Sequence, residues 1–231
     1  MSANVIRLDG RAARFWSATV GKKAVMALTG VILVGFVIVH LLGNLQVFVS
    51  ADKFNNYAHT LKSMPPVLWG ARLTLLTAVL LHIWSAFSLW SLKSEARPIG
   101  YQRKKSIASS YASRTMYWSG PILLLFIVYH LMQFTIGIGG TRFIVDDPYE
   151  NLITGFQVWP IAVFYIVAMG LLCLHLFHGI WSMFQTLGLH HPKYTPALRL
   201  VAKIIAVGLF VGFSSIPLAV LLGRLQPSGI L

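Results

Sequence analysis

Five stretches of this chain run for at least twenty residues without an Asp, Glu, Lys or Arg: 24–51, 73–92, 115–141, 151–192 and 204–223. A helix needs about 20 largely apolar residues to cross the hydrocarbon core of a bilayer, so each window predicts one spanning helix. The expected helices cover 24–49, 68–92, 115–138, 158–187 and 200–223. The fourth window carries a polar flank, and its helix is expected to begin near Trp159 and Pro160. Two connections contain Pro65-Pro66 and Gly139-Gly140, which read as loop punctuation. The predicted fold is all-α: a single membrane domain over 1–231, built as a bundle of five transmembrane helices.

Composition agrees with that pattern. Hydrophobic residues make up 56% of the chain and charged residues 11%, against roughly 25% charged in ordinary soluble domains. The net charge of +13 would suit nucleic acid if it were spread over one face. Instead it is confined to the segments between apolar windows, so no nucleic-acid partner is expected and lipid is.

The placement of the cations predicts orientation. Arg7, Arg11, Arg14, Lys22 and Lys23 precede the first helix, and Lys93, Arg97, Arg103, Lys104, Lys105 and Arg114 separate the second from the third. Lys193, Arg199 and Lys203 follow the fourth. These fourteen lie on one side, against Lys53, Lys62, Arg72, Arg142 and Arg224 on the other. An excess of Lys and Arg marks the cytoplasmic side, which puts the N-terminus inside and the C-terminus outside. The first apolar run is long enough to span, so it reads as a retained helix and not a cleaved signal. The single cysteine, Cys173, lies in an apolar window and reads as an inert thiol.

The candidate chemistry lies in the histidines. His40, His82, His130, His175 and His178 all fall within the spans, where ionisable residues are costly and mark function by default. At a rise of about 1.5 Å per residue, His40 and His130 stand roughly 25 and 24 Å from the inner charges Lys23 and Arg114. By the same rise, His82 stands about 16 Å from Lys93, and His178 about 15 Å from the helix end at Gly188. The histidines therefore form two layers, His40 with His130 outside and His82 with His178 inside. His175, three residues from His178, shares its helix face and competes with it.

Two histidines of one layer on different helices can supply both axial ligands of a haem iron. The second nitrogen of each ring can then bond a backbone carbonyl one turn earlier. Gly43, Ala78, Ala86 and Gly179 leave room beside the rings, although small residues serve plain helix packing equally well. Zinc would want Cys or carboxylate nearby, and the spans hold no carboxylate. His190 and His191 read as solvated loop residues, as does His59.

Several runs resemble a known family. Gly21-Lys22-Lys23-Ala24-Val25-Met26-Ala27-Leu28-Thr29-Gly30 leads to His40-Leu41-Leu42-Gly43-Asn44-Leu45 and Asn55-Asn56-Tyr57-Ala58-His59. Together with His178-Gly179-Ile180-Trp181-Ser182, they resemble the cytochrome b558-type, two-haem membrane anchor of succinate dehydrogenase and fumarate reductase, over about Ser17 to Gly223. The resemblance implies two haems b, an outer one on His40 and His130 and an inner one on His82 and His178, its His-Gly pair favouring His178 over His175. It also implies a flavoprotein and an iron–sulfur subunit docked on the cytoplasmic face of a bacterial cytoplasmic membrane. Dicarboxylate chemistry would reside on that flavoprotein, with this chain relaying electrons to or from quinone, most often menaquinone.

Diheme fumarate reductases of this kind carry a Glu two residues before the histidine matched here by His178. This chain has Leu176, so the resemblance does not carry a proton path over. Candidate partners for haem propionates are Arg72, Lys22 and Arg103. Candidate quinone contacts in the outer segment are Asn44, Asn55, Tyr57 and His59, whose amides, phenol and imidazole could bond a carbonyl and deliver a proton. The competing readings are a cytochrome b anchor of another membrane oxidoreductase and a haemless structural anchor whose histidines only cross-link helices.

Overall fold

The computed structural model describes residues 10, 15–96 and 110–229. Arg7, Arg11, Arg14, Arg97, Arg103, Lys104 and Lys105, named above for orientation or propionate binding, lie outside the described residues. Seven α-helices follow in order: α1 Thr19–Asn44, α2 Ala51–Lys62, α3 Pro65–Glu95, α4 Tyr111–Leu131, α5 Pro148–Gln157, α6 Trp159–Thr186 and α7 Thr195–Leu221. A 3-10 turn, Leu45–Phe48, extends α1, and a π-helical turn, Met132–Ile136, extends α4. Among the described residues no strand is present.

Five of these helices, α1, α3, α4, α6 and α7, are long and apolar enough to cross a membrane. Their exposed sides carry large apolar residues, among them Leu28, Val39, Leu80, Phe87, Leu125, Val167 and Val211. Exposed apolar belts on this scale mark surfaces that water does not contact. Only lipid or a partner protein suits them.

Two short helices were not expected from the sequence. Helix α2 forms because Ser50 caps it, accepting the Lys53 N–H at 3.1 Å, with Asp52 in its first turn and Lys62 in its last. Each of these favours the helix dipole or satisfies an orphan donor. Helix α5 begins on Asp147, whose carboxylate accepts the Glu150 N–H at 3.0 Å, with Pro148 at the first helical position. The Pro65-Pro66 pair also departs from expectation. Both prolines occupy the first turn of α3, where no N–H is needed, so they start the helix and do not interrupt a loop.

Helix α1 packs against α3, α6 and α7, and α6 against α4, α7 and α1, so these two helices form the spine of the bundle. Helix α3 packs chiefly on α1, and α4 chiefly on α6. The buried core divides in two. One cluster, including Val47, Phe54, Phe126, Ile153, Phe156, Tyr165 and Ile216, joins α5 to the spine at the end of the bundle where α2 and α5 lie. The other, Leu41, Leu176, Ile180, Ala202, Ala206 and Leu209, seals α1 and α6 against α7.

Candidate functional site

The intramembrane histidines meet in pairs across helices. His40 on α1 and His130 on α4 bring their ring centroids to 5.9 Å, nearly perpendicular at 86°. His82 on α3 meets His175 on α6 at 6.4 Å. The ring brought to His82 is thus that of His175, one turn before His178. This differs from the expected pairing, which rested on the His-Gly run. His178 is half-buried on the same helix.

Aromatic residues cage the first pair. Phe36 stacks on His40 at 5.2 Å, and Phe213 lies 5.9 Å from the same ring. Phe126 stacks on His130 at 6.0 Å, with Phe134 and Tyr165 edge-on at 5.6 and 6.0 Å. A polar chain runs through this cage. The Tyr165 hydroxyl donates to Gln133 Oε1 at 2.8 Å and lies 3.4 Å from His130 Nδ1. Gln133 sits in the π-helical turn, 2% exposed, with its Nε2 unpartnered. Such turns widen a helix by one residue and recur at functional sites. Here the turn lies just after His130 in the chain and carries the Gln133 amide that meets Tyr165.

The second pair has fewer neighbours. Thr29, buried on α1, places Oγ1 3.1 Å from His82 Nδ1, while the same oxygen lies 2.7 Å from the Val25 carbonyl and 3.1 Å from that of Met26. Gly30 lies beside the His82 ring, 3.7 Å from where its Cβ would stand. The Nδ1 atom of His175 is buried without a partner. For His82 and His130, then, Nδ1 faces a hydroxyl on a neighbouring helix, and His82 also hydrogen-bonds the Met26 carbonyl of α1, so neither relies on a carbonyl one turn earlier in its own helix.

The other expected site residues scatter. The Asn44 side-chain amide donates to the His40 carbonyl at 2.7 Å, closing the end of α1, and lies 3.4 Å from His40 Nε2. Both ends of the Asn55 amide are occupied, donating to Asp147 Oδ1 at 3.0 Å and accepting the Tyr149 N–H at 2.9 Å. It is a clasp between α2 and α5. Tyr57 packs on Gly43, where any Cβ would stand 2.7 Å from its ring, so Gly43 makes room for a tyrosine. Tyr57 also lines a shallow open groove of about 240 Å³ with Gln46, Lys53, Asn56 and Thr60. His59 is exposed. Arg72 is exposed and lies over the Trp69 ring at 5.0 Å. Lys22 is half-buried at the start of α1. Of the small residues, Ala78 is buried, Ala86 is exposed, and nothing lies within 4 Å of a Cβ built on Gly179.

Five helices long and apolar enough to span, four of them carrying histidines that meet in two pairs, define a multi-pass membrane protein. Residues 93–211, more than half of the chain, match the family described as succinate dehydrogenase/fumarate reductase transmembrane subunit, and the chain belongs to that family. It is similar to the succinate dehydrogenase cytochrome b558 subunit of Bacillus subtilis (strain 168), with 24% identity over 195 residues, covering 83% of this chain and 90% of the relative. No solved structure matches. Membership makes the chain a membrane anchor within an oxidoreductase complex. The short helices α2 and α5, the π-helical turn with Gln133, and the hydroxyls of Thr29 and Tyr165 had no place in the sequence reading. Their only signals there were Ser50 and Asp147 as capping residues and polar side chains inside apolar windows.

Proposed function

We propose that this chain holds two haems b and relays electrons between an iron–sulfur subunit and membrane quinone. The observation that carries this reading is the meeting of histidines from four helices in two separate pairs. Two metal–nitrogen bonds of about 2 Å each, plus the two ring radii, set bis-imidazole centroids on the order of 6 Å apart, which the observed 5.9 and 6.4 Å fit. His40 and His130 would hold the outer haem, and His82 and His175 the inner one. The buried, unpartnered His175 nitrogen suits a polar occupant at that place better than a plain apolar contact. When bound, the two groups supply a one-electron path across the membrane.

The chain's own residues bind and insulate. The Phe36, Phe126 and Phe213 rings exclude water from the outer pair, and low polarity is one lever on haem potential. The excess of Lys and Arg between spans favours the N-terminus in the cytoplasm and the C-terminus outside, and the family adds flavoprotein and iron–sulfur subunits on the inner face of a bacterial cytoplasmic membrane. Quinone, menaquinone by resemblance, is assigned to the outer groove that Tyr57 lines. Asn55 is left out of that assignment because both ends of its amide are bonded. Two residues before His175 stands Cys173 and two before His178 stands Leu176. Neither is an acid, so no proton path is assigned.

The resemblance keeps one alternative alive, with His178 as the inner ligand. A reduced-minus-oxidised spectrum of the complex purified from native membranes, with succinate as reductant, tests the whole reading. Two b-type components are expected, one lost in both His40→Ala and His130→Ala and the other in both His82→Ala and His175→Ala. Absence of b-type absorption would leave a haemless anchor. Haems that succinate fails to reduce would point to an anchor of another oxidoreductase.

A further inference from the structure

We infer that two buried hydroxyls, Thr29 on α1 and Tyr165 on α6, are positioning residues that fix the tautomer of His82 and His130 and, through it, the basicity of the nitrogen each presents to a haem. The inference rests on the haem reading above, but its argument is one of proton counting.

A hydroxyl has one proton to give. Around Thr29 Oγ1 stand the Val25 carbonyl at 2.7 Å, the Met26 carbonyl at 3.1 Å and His82 Nδ1 at 3.1 Å. Carbonyls only accept, and the nearer one takes the proton. A bare Nδ1 would then face a hydroxyl oxygen lone pair to lone pair in a site only 5% exposed at Thr29. Burial without water makes that arrangement costly. The His82 ring must therefore carry the proton, with the Thr29 oxygen and the Met26 carbonyl, which also hydrogen-bonds His82, as its acceptors on α1. In a neutral imidazole this leaves the Nε2 lone pair free to ligate.

The same count holds at the other pair. The Tyr165 proton goes to Gln133 Oε1 at 2.8 Å, so His130 Nδ1, 3.4 Å away, is the donor to the tyrosine oxygen. Tyr165 and Gln133 are 6% and 2% exposed, leaving no room for solvent to reverse the roles. Each hydroxyl belongs to a different helix from the histidine it orients, so helix packing itself selects the tautomer.

An acceptor on Nδ1–H raises the basicity of Nε2 and so favours the oxidised iron. Removing it moves the potential up. In the whole complex, redox titration followed by absorbance should show Thr29→Val raising the midpoint of the haem lost in His82→Ala. The expected size is a roughly fivefold change in the oxidised-to-reduced ratio at fixed potential, a difference of about 1 kcal/mol between the two oxidation states. Thr29→Ser, which keeps the hydroxyl, should leave that midpoint in place. Tyr165→Phe should raise only the midpoint of the haem lost in His130→Ala.

Loss of the inner haem in Thr29→Val with retention in Thr29→Ser would support the same role. Unchanged midpoints, equal shifts in Val and Ser, or haem loss in both variants would overturn it. If the unsubstituted complex shows no b-type absorption, the haem reading fails first, which separates the two failures.

Discussion

The two histidine pairs sit in the same bundle but are built differently. Around His40 and His130, aromatic rings from α1, α4, α6 and α7 close in, and the adjoining core is clasped by the two short helices α2 and α5. Beside His82 stand the Thr29 hydroxyl, the Met26 carbonyl that hydrogen-bonds it and Gly30, and the Nδ1 atom of His175 has no partner. The outer pair is held by many weak contacts that share the load. The inner pair hangs on a few specific ones. Redundancy predicts tolerance, so single changes near the outer site, Tyr165 apart, should act mostly on stability, whereas those near the inner site should act on the site itself.

The largest expected effect is at α6. His175→Ala should abolish the b-type component that His82→Ala abolishes, roughly halving reducible haem, while His178→Ala should keep both components. A reversed result, with His178→Ala losing the inner component, would break the comparison by removing the orphaned nitrogen from the site.

A smaller effect is expected at the outer clasp. Asn55→Ala removes both bonds between α2 and α5 and leaves the Tyr149 N–H and an Asp147 oxygen short of a partner. A lost partner of this kind costs about 1–3 kcal/mol. The outer component should lose absorbance at lower temperature while its midpoint stays put. Gly43→Ala should act similarly, since the added carbon would press on the Tyr57 ring and overpacking costs typically 1–3 kcal/mol. A changed potential without a change in melting would show that this region belongs to the redox site and not to its scaffold.

How much of this was legible in the chain depends on the element. The five spanning helices follow from charge-free length alone, because the bilayer sets one dimension. Each expected helix overlaps an observed one, although the first begins at Thr19, five residues before the expected start. Helices α2 and α5 were invisible to that reasoning, since α2 lies between charge-free windows, α5 falls on the polar flank of the fourth, and both are started by caps. The depth estimate grouped His40 with His130 because both are far from their flanking charges. It could not separate His175 from His178, which differ by less than one turn. Only the rotation of α6 against α3 decides which ring arrives at His82, and rotation comes from packing against α1, α4 and α7. The Thr29 and Tyr165 contacts were equally hidden, because residues 53 and 35 positions apart in sequence meet there.

The smallest effect should come from the ion pair between Lys62 Nζ and Asp146 Oδ1 at 2.7 Å, which also ties α2 to the segment before α5. Both side chains are more than half exposed, 51% and 63%. Water and salt screen such pairs. The Lys62 ammonium, through its hydrogen bond and then its charge, holds the Asp146 carboxyl below the usual carboxylate range, with His59 adding to it. A carboxyl lowered on folding contributes stability above its unfolded value and loses it as pH falls through the folded one. Any contribution from this pair should therefore be present at neutral pH and vanish on acidification. Lys62→Met should leave the melting of the outer component within error of the parent at pH 7, and the two should remain together at low pH. If instead it lowered melting at pH 7 as far as Asn55→Ala does, and acid erased the difference, charge would be what fastens the outer helices. The outer half of the molecule would then be as dependent on one contact as the inner half is.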